Sequence, residues 1–479
     1  MTSTYDCDVL IAGGGPTGVT LALLLAQHGV SVLVAEKEAG VYPLPRAAHL
    51  DHEVMRIIQQ AGAASPVMAS SRTTAHYDFL TADRQILLRF EGSDRIGPGG
   101  WPGANMIHQP SVEAALRECL ADYPALQLES GWELVSFADE SDAVTAQIAT
   151  PAGERTLRAR YLVGADGARS LVRKAAGIEF EDLGFEEPWL VIDTLVQDYA
   201  RLPTANLQIC DPARPTTCVL MGEGRHRWEF MILPGETAEE ISSEAMIASL
   251  LAPWDVAGAV TLERTAVYTF RARIAKAWRT GRVLLAGDAA HQTPPFAGQG
   301  MGSGLRDAAN LAWKLAAVAG GAPAALLDSY QTEREPNLRA TIDMAVMMGR
   351  MVCITDPAAA AQRDQQMLTA RAAGQAPDGP LAYPPFAQGL VLAGSPGAGS
   401  YFAQPIAAGQ RLDDVLGPYH WLIARDALDR AELAPFRAEL AGWLDTHGAE
   451  AVLVRPDRYV FGSGSAERLE AEWGRVFTG

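Results

Sequence analysis

Apolar residues fall in solid blocks near the start of the chain and in alternating positions further on. Asp8-Val9-Leu10-Ile11-Ala12 and Val30 to Ala35 are short solid blocks, as strands buried on both faces of a parallel sheet require. Between them, Val19 to His28 is apolar on all sides and ends at Gly29, which predicts a buried helix. Cys7 to Lys37 thus reads as one strand-turn-helix-strand unit, with Glu36 at the tip of its second strand. Pro43-Leu44-Pro45-Arg46 breaks the chain, and Ala47 to Gly62 reads as mostly helical. Ala75 to Phe90 alternates like two strands around a turn at Ala82-Asp83. Apolar residues at 112, 115, 116, 119 and 120 predict a helix with Ser111 as its N-cap. Strands follow from Leu126 to Val163, the last of them the solid run Tyr161-Leu162-Val163.

Gly177 to Arg264 is rich in strands broken by prolines, including Trp189 to Val196, Thr217 to Met221 and Arg227 to Leu233. It reads as a separate antiparallel sheet, joined by the 76–90 strands, and is the natural substrate layer. Arg282 to Ala286 is a strand, Gly287 to His291 a turn, and Leu305 to Val318 a helix behind a glycine-rich lead. Tyr330 to Cys353 reads as helix, with its methionines in core packing. A last unit combines strands at Tyr419 to Ala424 and Ala451 to Phe461 with helices at Leu433 to Gly448 and Ala466 to Phe477. The expected class is α/β. Residues 1–75, 104–176 and 265–350 form a Rossmann-like dinucleotide domain, 76–103 and 177–264 the inserted sheet, 351–399 a helical linker and 400–479 a small α/β domain.

Composition narrows the function more than the fold. The chain has 479 residues, of which 48% are hydrophobic and 20% charged, as in ordinary globular proteins. A net charge of −18 argues against nucleic-acid and anionic-membrane surfaces and favours small-molecule partners. The five cysteines are scattered and form no C-x-x-C or zinc pattern, so neither a disulfide framework nor a metal site is expected. The chain shows no signal segment and no run of about 18 apolar residues, which predicts a cytoplasmic protein.

The candidate chemistry starts at Gly13-Gly14-Gly15-Pro16-Thr17-Gly18, which fits G-x-G-x-x-G in its proper setting. Gly13 allows the tight turn, Gly15 lets backbone approach a pyrophosphate, and Gly18 lets helix pack on strand. The helix N-terminus then offers free N–H groups to the anion. Glu36 can accept hydrogen bonds from ribose hydroxyls and would repel a 2′-phosphate, which suits FAD or NAD. Arg46 stands where a returning loop could pair its guanidinium with phosphate. Gly164-Ala165-Asp166-Gly167 ends a buried strand beside the first, where a second carboxylate is needed. Gly287-Asp288 and Gly298-Gln299-Gly300-Met301 lead to a helix N-terminus that could stabilise an anionic reduced flavin ring.

With these three motifs in this order, residues 5–350 resemble the FAD-dependent aromatic hydroxylases, the group A flavoprotein monooxygenases of the p-hydroxybenzoate hydroxylase fold. Within them the chain looks most like the 3-(3-hydroxyphenyl)propionate hydroxylases, through Asp211-Pro212-Ala213-Arg214-Pro215 and Phe230 to Thr237. The C-terminal Arg455-Pro456-Asp457 unit resembles the thioredoxin-like domain of the phenol hydroxylase branch, without its C-x-x-C pair. The resemblance implies bound FAD, transient NADPH or NADH, O₂ as cosubstrate, and hydroxylation of a phenolic ring through a flavin C4a-hydroperoxide; it leaves room for a homodimer. It places Gly13, Gly15, Pro16, Thr17, Gly18, Glu36, Lys37, Arg46, Gln109, Asp166, Asp288, Pro295, Gly298, Gly300 and Met301 at the cofactor. It also puts Asp51 on the substrate side of the flavin as the ring-activating base, and lets Tyr268 reach the same cavity to orient the hydroxyl. Two other readings share the motifs: a tailoring monooxygenase acting on a polyketide or antibiotic, and a flavin reductase without oxygen insertion.

Overall fold

A computed structural model describes residues 5–376 and 383–478. The solid apolar blocks lie side by side in the first sheet, in the order Arg279–Thr280, Val283–Leu285, Gly153–Gly164, Cys7–Ala12, Val32–Glu36, Leu126–Ser130. Its central strands are parallel, with Ile11 opposite Val163 and Val34, and Val163 opposite Leu284. Parallel strands are covered on both faces, so every residue of Val32–Glu36 is buried. Pro16–Gln27 covers one face and packs against the long helix Gly300–Ala319.

The second sheet has eight strands, in the order His291–Gln292, Val260–Ala275, Phe180–Val196, Arg225–Met231, Thr216–Leu220, Asn206–Ile209, His76–Leu80, Ile86–Glu91. All neighbours are antiparallel except Asn206–Ile209 beside His76–Leu80. Alternation gives it two distinct faces. Leu190, Ile192, Trp228 and Phe230 pack on one face with Ile241 and Ile247 from two short helices. The opposite face carries Trp189, Asp193, Arg227, Glu229 and Tyr268 and turns toward the first sheet: Arg227 donates to the Pro45 and Arg46 carbonyls at 2.9 and 2.8 Å.

The last unit is a three-stranded antiparallel sheet of Trp421–Ala424, Ala451–Val454 and Val460–Gly464, flanked by Arg437–Thr446 and Ala466–Arg475. Trp473 packs against Trp313 of the long helix. Buried ions complete the docking. Arg56 and Arg458 share Asp413, and Arg455 and Lys314 share Glu333, all six buried.

Local expectations fail at several points. The helix expected behind Ser111 starts at Gln109, because Pro110 has no N–H to leave unpaired in a first turn. Ser111 instead donates to Glu223 at 2.6 Å. Only His52–Gln60 of the 47–62 stretch is α-helical, since His49–Leu50 pairs with Asn105–Met106. Trp189 to Val196 is the end of a 17-residue strand. Met347 is 64% exposed and packs no core. The linker carries the helix Pro357–Ala372, while 377–382 lie outside the described residues.

Candidate active site

The glycine turn is built by close contacts that leave one opening. A Cβ on Gly13 would meet the Ala165 carbonyl oxygen at 2.4 Å, and one on Gly18 would meet the Gly13 oxygen at 2.0 Å. Gly13 also has φ +104, which favours glycine. A Cβ on Gly15 would meet nothing within 4 Å. Its φ of −76 is open to any residue, so the fold itself does not require glycine there. Gly15 caps the helix N-terminus with no side-chain partner, and Pro16 follows at the first turn. A pyrophosphate fits this opening, where free N–H groups and the helix dipole favour an anion.

The other motifs meet at the same turn. Glu36 is buried at the strand tip and accepts from the Gly14 and Glu38 N–H groups at 2.6 and 2.8 Å. Asp166 Oδ2 accepts from Leu171 and Val172 N–H, while its Oδ1 is buried without a partner among the described residues. Such an orphaned acceptor fits a ligand hydroxyl. Thr17 touches both downstream glycines: a Cβ on Gly287 would meet its Oγ1 at 2.8 Å, and one on Gly304 at 2.3 Å. Asp288 is half-buried and makes no hydrogen bond through its side chain among the described residues. It stands ready to accept from flavin hydroxyls, so Asp288→Ala should weaken FAD binding by about 1–3 kcal/mol, measured by flavin-release titration.

The remaining cofactor candidates sort by what holds them. Gln109 Oε1 accepts from the Arg46 and Ala47 N–H groups, and its Nε2 donates to Glu113. It therefore fixes the Arg46 loop from behind. Arg46 and Lys37 are exposed at the rim. Pro295 opens the 3₁₀ turn Pro295–Ala297, closed by Gly298 at φ +65, and Gly300 and Met301 begin the long helix. Their N–H groups are the helix-end donors expected beneath a flavin ring.

Asp51, expected as the ring-activating base, is buried and fully paired. Its Oδ1 caps His52–Gln60 by accepting from Glu53 and Val54 N–H, at 3.0 and 2.9 Å. Its Oδ2 pairs with the buried Arg306 and accepts from the Tyr383 hydroxyl at 3.0 Å. Burial alone would push its pKa up, but the Arg306 charge overrides this and holds it well below the usual carboxylate range. A carboxylate this strongly paired is a poor proton acceptor. The Tyr268 hydroxyl accepts from Arg264 Nη2 at 3.2 Å, on the inner face of the second sheet. Arg264 and Arg227 both pair with the sealed Asp193.

Other site residues carry no sequence signal. Arg117 donates to the Gly14 carbonyl at 2.8 Å, so its guanidinium sits at the anion turn. The His49 ring lies 3.3 Å from the Gly298 carbonyl, with burial lowering its pKa. Trp189, Phe270 and Phe296 form an aromatic wall beside the Pro295 turn, with centroids 5.7–6.0 Å apart. Only packing brings these residues to one place.

A dinucleotide turn, two acidic acceptors and a helix N-terminus under a polar sheet face define a flavin-dependent oxidoreductase. A family model described as FAD binding domain matches residues 6–345, and one described as HcaD C-terminal domain matches 433–478. The chain is 38% identical to the probable NADH-specific resorcinol 4-hydroxylase of Rhodococcus jostii (strain RHA1), over 95% of this chain and 91% of that protein. It is 35% identical to the 3-(3-hydroxy-phenyl)propionate/3-hydroxycinnamic acid hydroxylase of Mycobacterium sp. (strain JLS), over 97% and 90%. Its fold is similar to the crystal structure of aklavinone-11 hydroxylase in complex with FAD and aklavinone, at TM-score 0.81 and 26% identity over the full length of both chains. The chain belongs to the FAD-dependent aromatic hydroxylases. No helix among the described residues is long and apolar enough to cross a membrane.

Proposed function

We propose that this protein hydroxylates a small meta-substituted phenol, using NADH and O₂. The named substrates of the two relatives above, resorcinol and 3-(3-hydroxyphenyl)propionate, share a ring hydroxyl with a substituent two carbons away. The observation that carries the reading is the inner face of the second sheet, where polar and aromatic side chains stand together opposite the flavin-binding loops. NADH is favoured because the 38% identical relative is described as NADH-specific.

Bound FAD supplies hydride acceptance from NADH and activation of O₂ for transfer to the ring. The chain supplies the rest. Gly13 to Gly18, Glu36, Asp166 and Asp288 would hold the dinucleotide, with the N–H groups of the helix end at Gly300 available to its ring. Arg227 and Arg264 tie the Pro45 carbonyl to the sheet, which fixes the gap between sheet and flavin loops. The wall of Trp189, Phe270 and Phe296 keeps water from that gap, as productive oxygen transfer requires.

The test is a screen of NADH and NADPH oxidation against resorcinol, 3-(3-hydroxyphenyl)propionate and larger polycyclic phenols, with product analysis under ¹⁸O₂. The expected result is NADH oxidation stimulated by the two small phenols, with one labelled oxygen in the product. Stimulation by polycyclic phenols alone would move the protein to the tailoring enzymes, and unlabelled product would make it a reductase.

A further inference from the structure

Among the described residues, Glu229 is a buried acid on the inner face of the second sheet that accepts no hydrogen bond; Glu187, on the same face, also lacks a partner but is only half-buried. Asp193, in the neighbouring row, is consumed by Arg227 and Arg264. Glu229 is 7% exposed, yet no described residue donates a hydrogen bond to it. Its nearest cation, Arg227 Nη1, is 3.6 Å away and already donates to the Arg46 carbonyl. A buried carboxylate left in this state is costly unless something else completes it.

Position says what that partner is. Strand alternation puts Arg227, Glu229 and Met231 on the same face. On one side of Glu229, Arg227 grips the loop at Pro45 and Arg46. On the other, Met231 pairs with Trp189, whose ring meets Phe296 of the Pro295 turn. Glu229 is thus bracketed by contacts to the Arg46 loop and the Pro295 turn, the two segments that would frame a flavin ring. Its cross-strand neighbours are Thr217 and Val191. Thr217 donates to Gln208, which also accepts from the Tyr77 hydroxyl, so that row is polar and internally satisfied up to Glu229.

We propose that Glu229 accepts a hydrogen bond from the hydroxyl of the phenolic substrate and so selects rings that carry one. The interaction raises electron density on the ring, which favours attack by an electrophilic oxygen. Burial also raises the Glu229 pKa, which brings its proton affinity closer to that of a phenol. The inference rests on the phenol-hydroxylase reading given above.

The experiment compares resorcinol with 1,3-difluorobenzene, which has nearly the same shape and no proton to donate. Each is titrated into the FAD-bound protein without NADH, with the shift in flavin absorbance as the readout. Wild type should prefer resorcinol by about 10- to 100-fold, the range for a charge-assisted hydrogen bond. Glu229→Gln keeps a weaker neutral acceptor and should lose part of that preference; Glu229→Leu has none and should erase it. Affinity for difluorobenzene and flavin content should stay constant, a pattern that a purely structural role cannot produce. If one variant fails to hold FAD, the other decides. A preference that survives in the variants, or equal losses for both ligands, overturns the assignment of Glu229 while leaving the phenol reading intact. Wild type that binds neither ligand overturns both.

Discussion

Gly15→Val should give a folded protein that has lost its flavin. A Cβ at Gly15 meets no atom of the chain within 4 Å, and the backbone there is open to any residue, so a valine costs the fold little. The side chain would project into the space where pyrophosphate approaches the N-terminus of Pro16–Gln27. Loss of that approach should weaken FAD binding by at least about 100-fold, or about 2.7 kcal/mol. The measurement is flavin per polypeptide after gel filtration, together with far-UV circular dichroism. Full flavin content in a folded variant would show that the dinucleotide lies elsewhere. Gly13 and Gly18 cannot provide this test, because a Cβ at either collides with backbone and damages the fold itself.

Removing the cation from the buried cluster around Arg306 should cost about 3–5 kcal/mol, the range for leaving buried charge uncompensated. Arg306 bonds Asp51, Glu53 and Gln299, and the other oxygen of Glu53 accepts from Tyr459 of the C-terminal unit. Arg306→Met fills similar volume and leaves two buried carboxylates facing each other. The pH dependence identifies the cause. In wild type the folded pKa of Asp51 is depressed, so its contribution is present above the unfolded value of about 4 and is lost as pH falls below it. In the variant, burial of Asp51 is no longer offset by the Arg306 charge, only by the nearby histidines and the Val54 N–H, so its pKa rises relative to wild type. The cost should then be full at neutral pH and shrink as pH falls toward 4. Urea unfolding of both proteins at pH 7.5 and 4.5 measures this. A difference of under about 1 kcal/mol at pH 7.5 would remove the cluster as a source of stability.

The glycine turn, the solid strands and Glu36 were legible because each depends on neighbours close in sequence. Gly13 needs positive φ within its own turn, and Val32–Glu36 is apolar throughout because both its faces are covered. The three motifs in order were enough for the family, since each is a short local pattern. Pattern also separated the two sheets, because burial on two faces gives solid runs and burial on one gives alternation.

Asp51 and Glu229 show where local reading stops. Both are acids inside predicted elements, and only the family resemblance singled out Asp51. The partners that decide its role are 255 and 332 residues away, at Arg306 and Tyr383, and nothing near Asp51 announces them. Glu229 follows Trp228 in an ordinary strand, and only the sheet order reveals that Asp193 takes both neighbouring arginines and leaves it without a donor. Whether a carboxylate is a cap, an ion-pair partner or a free acceptor depends on which charges reach it through space. Sequence therefore determined the cofactor fold and its motifs, while tertiary packing decided which acids remain free for chemistry.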